Sequence, residues 1–192
     1  MAFLIDRDYL TLISQEDLDV VTYCDGEGTT PEQLIQETEA NVLQEISSYL
    51  SGRYDMAKIF FETVEHLTGD SYTAGTFLYD PIEKKYYTAL VDTQAGDVLT
   101  DEDIFEAGEK RNAIMKRHVI NIVLYELHGR INPRYTPEFR IQRRDDSIKW
   151  LQAVQNPRNN VNADGFLPLK DFPEKSGNDI SWNSREKQSN DY

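Results

Sequence analysis

The sequence predicts a mainly α-helical protein: a small helical bundle with a β-hairpin or three-stranded insert and an extended C-terminal tail. Three stretches point to it. Apolar residues recur at helical spacing from Thr30 to about Arg53, and Val119 to Leu127 is apolar almost all round. Between them, Thr68 to Asp97 turns to aromatic and β-branched residues set among turn formers. A chain of 192 residues has room for one main domain with a real core and some additional material. Its 39% hydrophobic and 28% charged content lies near globular averages, so any disorder is local.

Phe3 to Tyr23 reads as two short helical pieces divided at Ser14, which stands where an N-cap would, three residues before Asp17. Asp25-Gly26-Glu27-Gly28 breaks the helix. Thr30-Pro31-Glu32-Gln33 then combines a capping hydroxyl, a proline at the first helical position and a glutamine able to close a capping box. In the helix that follows, Ile35, Val42, Ile46, Tyr49 and Leu50 share one face, leaving Glu37, Glu39 and Glu45 free to remain solvated.

In the insert, Asp80-Pro81 begins a connection of about five residues between two strand-like runs, the pattern of a hairpin with a longer loop. A lone hairpin is marginal in water, so a third strand near Tyr72 or packing against helices is required. Helix returns from about Lys110 to Gly129, and Asn132-Pro133 prevents its resumption. Thr136-Pro137-Glu138 repeats the cap-then-proline start and opens a last helix to about Val154, with Ile148, Leu151 and Val154 inward beside Trp150. The chain thus divides into N-terminal bundle helices (1–58), a β-rich insert (59–104), the central and last helices (105–155) and a C-terminal arm (156–192).

Composition limits the chemistry. A net charge of −14 argues against gripping nucleic acid through its phosphates, which takes clustered Lys and Arg, although DNA can pass nearby without being held. The single cysteine, Cys24, has no intrachain partner, and its neighbours Tyr23 and Asp25 provide no cation to activate it. The N-terminus lacks the basic start and long apolar core of a secretion signal, and no apolar run reaches membrane-spanning length, so a cytoplasmic product is expected. His66, His118, His128 and Cys24 are scattered rather than set at zinc-type spacings, so no metal is expected. Asp101-Glu102-Asp103 and Asp145-Asp146 read as charges at helix starts rather than a catalytic pair. Asp25-Gly26-Glu27-Gly28 lacks the distal glutamate of a calcium loop, and no nucleotide-binding glycine pattern occurs, so no cofactor is expected.

Two features remain as interaction candidates. Arg140, Arg143, Arg144 and Lys149 form a basic cluster in an acidic chain, read either as a patch that pairs with acidic surfaces of a neighbouring copy or as a solvated helix face. Phe166, Leu167, Phe172 and Trp182, with Leu169 and Ile180, are apolar anchors spaced along a polar tail, read either as an arm docking on another subunit or as a frayed end. The tyrosines of the insert invite a sugar-stacking reading, set against their use as the core of a small sheet.

Three stretches stand out: Leu12-Ile13-Ser14-Gln15-Glu16-Asp17-Leu18, then Glu45 through Tyr49-Leu50-Ser51-Gly52-Arg53-Tyr54-Asp55, and the late run from Arg111-Asn112 through Leu124-Tyr125-Glu126-Leu127-His128, continued by Pro133-Arg134 and Ser147-Ile148-Lys149-Trp150-Leu151. In that order they resemble the head-to-tail connector, or neck adaptor, family of tailed bacteriophages. Their order carries more weight than any one of them, and together they cover most of residues 1–155 outside the insert. The resemblance implies a non-enzymatic helical bundle that forms a ring, dodecameric in the family, beneath the portal protein. Such a ring joins the capsid vertex to other neck or tail proteins and lines the channel through which DNA passes. It implies location in the virion neck after assembly in the host cytoplasm. A ring needs a heterologous interface, which a basic helix facing an acidic neighbour would suit, and acidic channel walls would let the genome slide. The insert between Arg53 and Arg111 and the tail beyond Asn156 exceed the compact family pattern; the insert is expected to face outward and the tail to lie on a neighbour or on the portal. The rival reading is a carbohydrate- or host-binding accessory module of the virion built on the tyrosine-rich insert.

Overall fold

A computed structural model describes residues 2–24, 28–131, 136–156 and 167–170. Two short helices, α1 (Asp6–Tyr9) and α2 (Gln15–Val21), precede the long α3 (Pro31–Leu50) and the single turn α4 (Met56–Ile59). Strands β1 (Thr63–Glu65), β2 (Phe77–Asp80), β3 (Lys85–Ala89) and β4 (Phe105–Ala107) follow, and α5 (Ala113–Ile131) and α6 (Glu138–Gln155) close the body.

The helix starts form for the reasons read in the sequence. Ser14 Oγ accepts from the Asp17 amide at 3.2 Å. Thr30 and Gln33 form a reciprocal capping box behind Pro31, at 3.1 and 3.2 Å. At α5 the cap is Asn112, whose side-chain oxygen accepts from the Ile114 and Met115 amides at 2.9 and 3.1 Å. The start of α6 differs: the cap position is Pro137, without a side-chain hydrogen bond.

Helices α3, α5 and α6 pack on one another around a single core. Ile35, Val42, Ile46 and Leu50 of α3 are buried there, as the helical stripe requires, together with Leu151 and Val154 of α6. Helix α5 lies at the centre and buries Met115, Val119, Ile120, Ile122, Val123, Leu124 and Leu127. At about 1.5–3 kcal/mol for each fully buried aliphatic side chain, this one helix supplies a large share of the apolar driving force.

The mainly α expectation is overturned. The fold is α/β: beside the helices stands a four-stranded mixed sheet in the order β1-β2-β3-β4, with β1 parallel to β2 and the other pairs antiparallel. The hairpin was legible, and Pro81 to Lys84 connects β2 to β3, with Asp80 Oδ1 accepting from the Ile82 amide at 2.9 Å and Lys84 in the left-handed region at φ 57°. The outer strands β1 and β4 have only three residues each, too few to display alternation. β4 lies beyond residue 104, and Asp101-Glu102-Asp103 sits in the turn before it rather than at a helix start.

Period-2 alternation and the strand register give the sheet two distinct faces. Leu78, Tyr87, Ala89 and Phe105 make a small second core on one face. Phe77, Tyr79 and Tyr86 lie on the other, which meets the bundle. A run of rings crosses that junction: Phe3 to Phe61 at 6.5 Å, Phe61 to Phe77 at 5.2 Å, and Phe77 stacked on Tyr86 at 5.5 Å.

Arg111 fastens the junction. Its side chain is 0% exposed. Nη1 donates to the Phe3 carbonyl at 2.7 Å and to Asp8 Oδ2 at 2.8 Å, while Nε and Nη2 grip Glu109 in a fork at 2.9 Å each. Tyr86 covers the guanidinium at 4.7 Å. The first residues are pinned from the other side by buried Glu39, which accepts from the Phe3 and Leu4 amides at 2.6 and 3.1 Å and from the Tyr9 hydroxyl at 3.1 Å.

Removing one member of a buried ion pair strands the other charge. Arg111→Met is therefore expected to lower stability by about 3–5 kcal/mol in urea unfolding. Adding Asp8→Asn to that variant should recover a substantial part, because the stranded carboxylate is then gone. A double variant no more stable than Arg111→Met would mean the loss lies in packing rather than charge.

Candidate functional site

The basic cluster expected at a subunit interface does not act as one unit. Arg140 is 3% exposed and turns inward, where Nη2 donates to the Leu12 carbonyl at 3.2 Å. Burial, and then the neighbouring Arg143, hold its pKa below the ordinary arginine value, with Asp17 opposing. Arg144 is engaged within its own chain, 3.8 Å from Glu45 of α3 and over the Tyr125 ring of α5 at 5.2 Å. Lys149 is exposed, 4.0 Å from Asp146. Arg143 is exposed beside the Phe139 ring at 5.6 Å.

The tail anchors divide similarly. Leu167 is 2% exposed and belongs to the bundle core of its own chain, not to a partner. Around it the chain clips onto the end of α3: the Asp55 amide donates to Pro168, the Lys170 amide donates to Arg53, both at 2.9 Å, and Leu169 bridges Tyr54. Phe166, Phe172 and Trp182, with Ile180, lie outside the described residues.

Arg143 does belong to a concave site that the sequence reading did not assemble. A groove of about 490 Å³ runs between the first half of α5 and the middle of α6. Arg117, His118 and Asn121 line it from α5, and Arg143, Asp146, Ser147 and Trp150 from α6, with Ala113 and Ile114 at its end. The residues occur at i, i+4 on α5 and i, i+4, i+7 on α6, spacings that place each set on one helix face. That spacing was visible; that the two faces meet was not. Trp150, read as a neighbour of the inward stripe, forms the aromatic wall.

The groove floor is polar and under-satisfied. His118 stacks on Trp150 with ring centroids 4.4 Å apart. Its Nδ1, like Asn121 Oδ1, is buried and has no hydrogen-bond partner among the described residues, although Asn121 is only 5% exposed. Buried polar groups are ordinarily paired, and these two lie unpaired beneath the groove surface rather than open to it. Burial first, and then the Arg117 charge, lower the His118 pKa to about 4, so the ring is neutral at pH 7. At pH 7 the groove's net charge is therefore set by Arg117 and Arg143 against Asp146.

A second hollow, of about 900 Å³, lies on the sheet around Tyr87, Leu90, Leu99 and Phe105, rimmed by Glu83, Glu102 and Glu106 with Lys85. The tyrosines of the insert offer few free ring faces. Tyr79 and Tyr86 pack on each other at 5.1 Å, Tyr72 packs on His66, and Tyr87 is buried. Tyr86 also covers Arg111; its hydroxyl is pushed up to about 12 by burial and then by the Asp8 charge, with Arg111 opposing. Among the described residues no group of three or more His, Cys, Asp and Glu is placed to hold a metal ion, and no helix is long and apolar enough to cross a membrane. Compared with known proteins, the chain matches no family model, no curated protein and no solved structure.

The His118 environment sets a pH dependence. A histidine held near pKa 4 when folded takes up its proton more readily when unfolded, near 6.5. Its contribution to stability is complete above about pH 6.5 and is lost as pH falls toward 4. His118→Asn is expected to flatten the fall in unfolding free energy between pH 6.5 and 4 by roughly 1–3 kcal/mol, read from urea midpoints across that range. An unchanged slope would place the imidazole in water.

Proposed function

We propose that this chain is a virion structural protein, one subunit of a head-to-tail connector ring that joins the portal vertex to the tail and lines the DNA channel. It acts by assembly rather than catalysis. Its partners in this reading are further copies of itself, twelve by analogy with the family, together with the portal protein and other neck or tail proteins. DNA passes through without specific binding. The protein resides in the virion neck after assembly in the host cytoplasm.

One observation carries the reading. The three stretches that resemble connector proteins are far apart in sequence, yet their apolar residues converge on one core: Ile13 and Leu18, then Ile46, Leu50 and Tyr54, then Met115 through Leu127 and Leu151. A helical bundle of the connector type requires that convergence, and the resemblance itself rests on the residues of the three stretches and their order. The charge supports the same reading, since −14 per copy repeated around a channel disfavours adhesion of phosphates. The rival, a carbohydrate- or host-binding module, calls for ring faces open to a sugar, and the tyrosines of the sheet are largely occupied by one another and by Arg111.

Cryo-electron microscopy of virions containing this chain tests the proposal. The expected result is a closed collar of copies, each of 22.2 kDa, between portal and tail. Its absence from that collar, or its presence there as one copy, contradicts the proposal.

A further inference from the structure

We propose that in the assembly the basic groove between α5 and α6 of one copy receives the acidic rim of the sheet hollow of the next, the turn of Asp101, Glu102 and Asp103, in a head-to-tail contact between unlike surfaces. The inference rests on the ring reading and specifies which two surfaces meet.

Charge is segregated along the chain. Residues 59–109 contain twelve Asp and Glu against two Lys, a net of −10, whereas residues 110–155 contain ten Lys and Arg against four Asp and Glu, a net of +6. The segment that holds the sheet and the segment that holds the last two helices therefore carry opposite net charge. Such complementarity steers association and fixes register between copies.

The groove presents positive charge that its own chain does not neutralise. Arg117 and Arg143 are exposed, and among the described residues neither has a carboxylate partner, while Asp146, the acid on the rim, is 4.0 Å from Lys149. Between them lies an apolar wall of Trp150 with Ile114, the latter 43% exposed. A fitting occupant brings carboxylates for the two guanidiniums and apolar surface for the wall.

The sheet hollow has the complementary character. Its floor is Leu90, Leu99 and Phe105, and its rim is acidic. Glu83 and Glu106 are already engaged by Lys85 and Lys110. The adjoining Asp101, Glu102 and Asp103 are exposed and have no cation partner among the described residues, so they are the charges available to a neighbour. The hollow cannot be filled by its own groove: strand register sets Tyr87 and Phe105 on the face opposite Tyr86, and it is the Tyr86 face that meets Arg111 and the bundle. Unlike surfaces that cannot meet within one copy form the heterologous contact from which rings close.

Charge reversal on the full-length chain tests this, with mass photometry reading assembly and far-UV circular dichroism reading the fold. Wild type is expected to form rings that weaken with added salt. Arg117→Glu with Arg143→Glu, and separately Asp101→Lys, Glu102→Lys with Asp103→Lys, are each expected to weaken association at least about 100-fold while retaining the wild-type dichroism. Mixing the two reversed chains in equal amounts should restore rings, since every junction then pairs an acidic with a basic surface. Should the groove reversal lose its dichroism, Arg117→Gln with Arg143→Gln replaces it, and should the rim reversal lose it, Asp101→Asn, Glu102→Gln with Asp103→Asn replaces that; each is expected to weaken association at least about 10-fold. Reversed or neutralised chains that assemble like wild type, or folded reversed chains that fail to assemble when mixed, overturn this contact while leaving the ring reading intact. A wild-type chain that stays monomeric at every concentration overturns both.

Discussion

The buried guanidinium of Arg111 stands at the centre of the junction between bundle and sheet. The bundle and the sheet have separate apolar cores; a run of aromatic rings crosses between them, and Arg111 lies within it, buried between Phe3, Phe77 and Tyr86 and hydrogen-bonded to Phe3, Asp8 and Glu109. A charge removed from water is costly unless its partners are well placed, and breaking a buried pair by removing one partner is more costly still. Here burial works against the charged form, but Glu109 and Asp8 outweigh it and hold the Arg111 pKa above the ordinary arginine value. Lysine lacks the planar fork that reaches Phe3, Asp8 and Glu109 together, so the site requires arginine. Lys116, 2.8 Å from Glu109 and 3.5 Å from Asp8, helps to balance the two carboxylates.

The second anchor acts on the same segment from the bundle side. Glu39 sits on the inner face of α3, where its burial raises its pKa, and three hydrogen bonds from Leu4, Phe3 and Tyr9 counter that rise. Residues 2–9 are thereby clamped between α3 and Arg111, and Thr63 of β1 joins the same segment through Ala2 and Phe3 at 2.8 and 3.1 Å. The function proposed above depends on this clamping. A sheet that swung freely would present its acidic hollow in no fixed direction, whereas a sheet locked to the bundle presents it at a set angle to the groove of α5 and α6. Ring closure requires such a constant angle from copy to copy.

What the sequence revealed was local. Helix starts at Ser14 and Thr30, the stripe on α3 and the all-round apolar character of α5 follow from neighbours within a few residues, and each is present as read. What it concealed depends on contacts across the chain. Glu39 stands four residues after Ile35 and three before Val42, so its helical spacing shares their inner face although its charge reads as solvated, and only the returning N-terminal segment gives it donors. Arg111 stood out in no local pattern, since its partners are 2, 103 and 108 positions away. Arg140 and Arg143 are three residues apart on one helix, yet one points into the core and the other into solvent. The sheet was under-read because two of its four strands are three residues long and gain their order from pairing. The α5–α6 groove escaped notice because each helix holds only half of it.

The claim that sheet and bundle form one rigid body is tested most directly by native-state hydrogen exchange in increasing urea. The amides of Leu78 and Tyr87 in the sheet and of Val123 and Leu124 in α5 should converge on one opening free energy, that of global unfolding. Sheet amides that exchange through a separate, lower-energy opening while α5 stays protected would contradict the account.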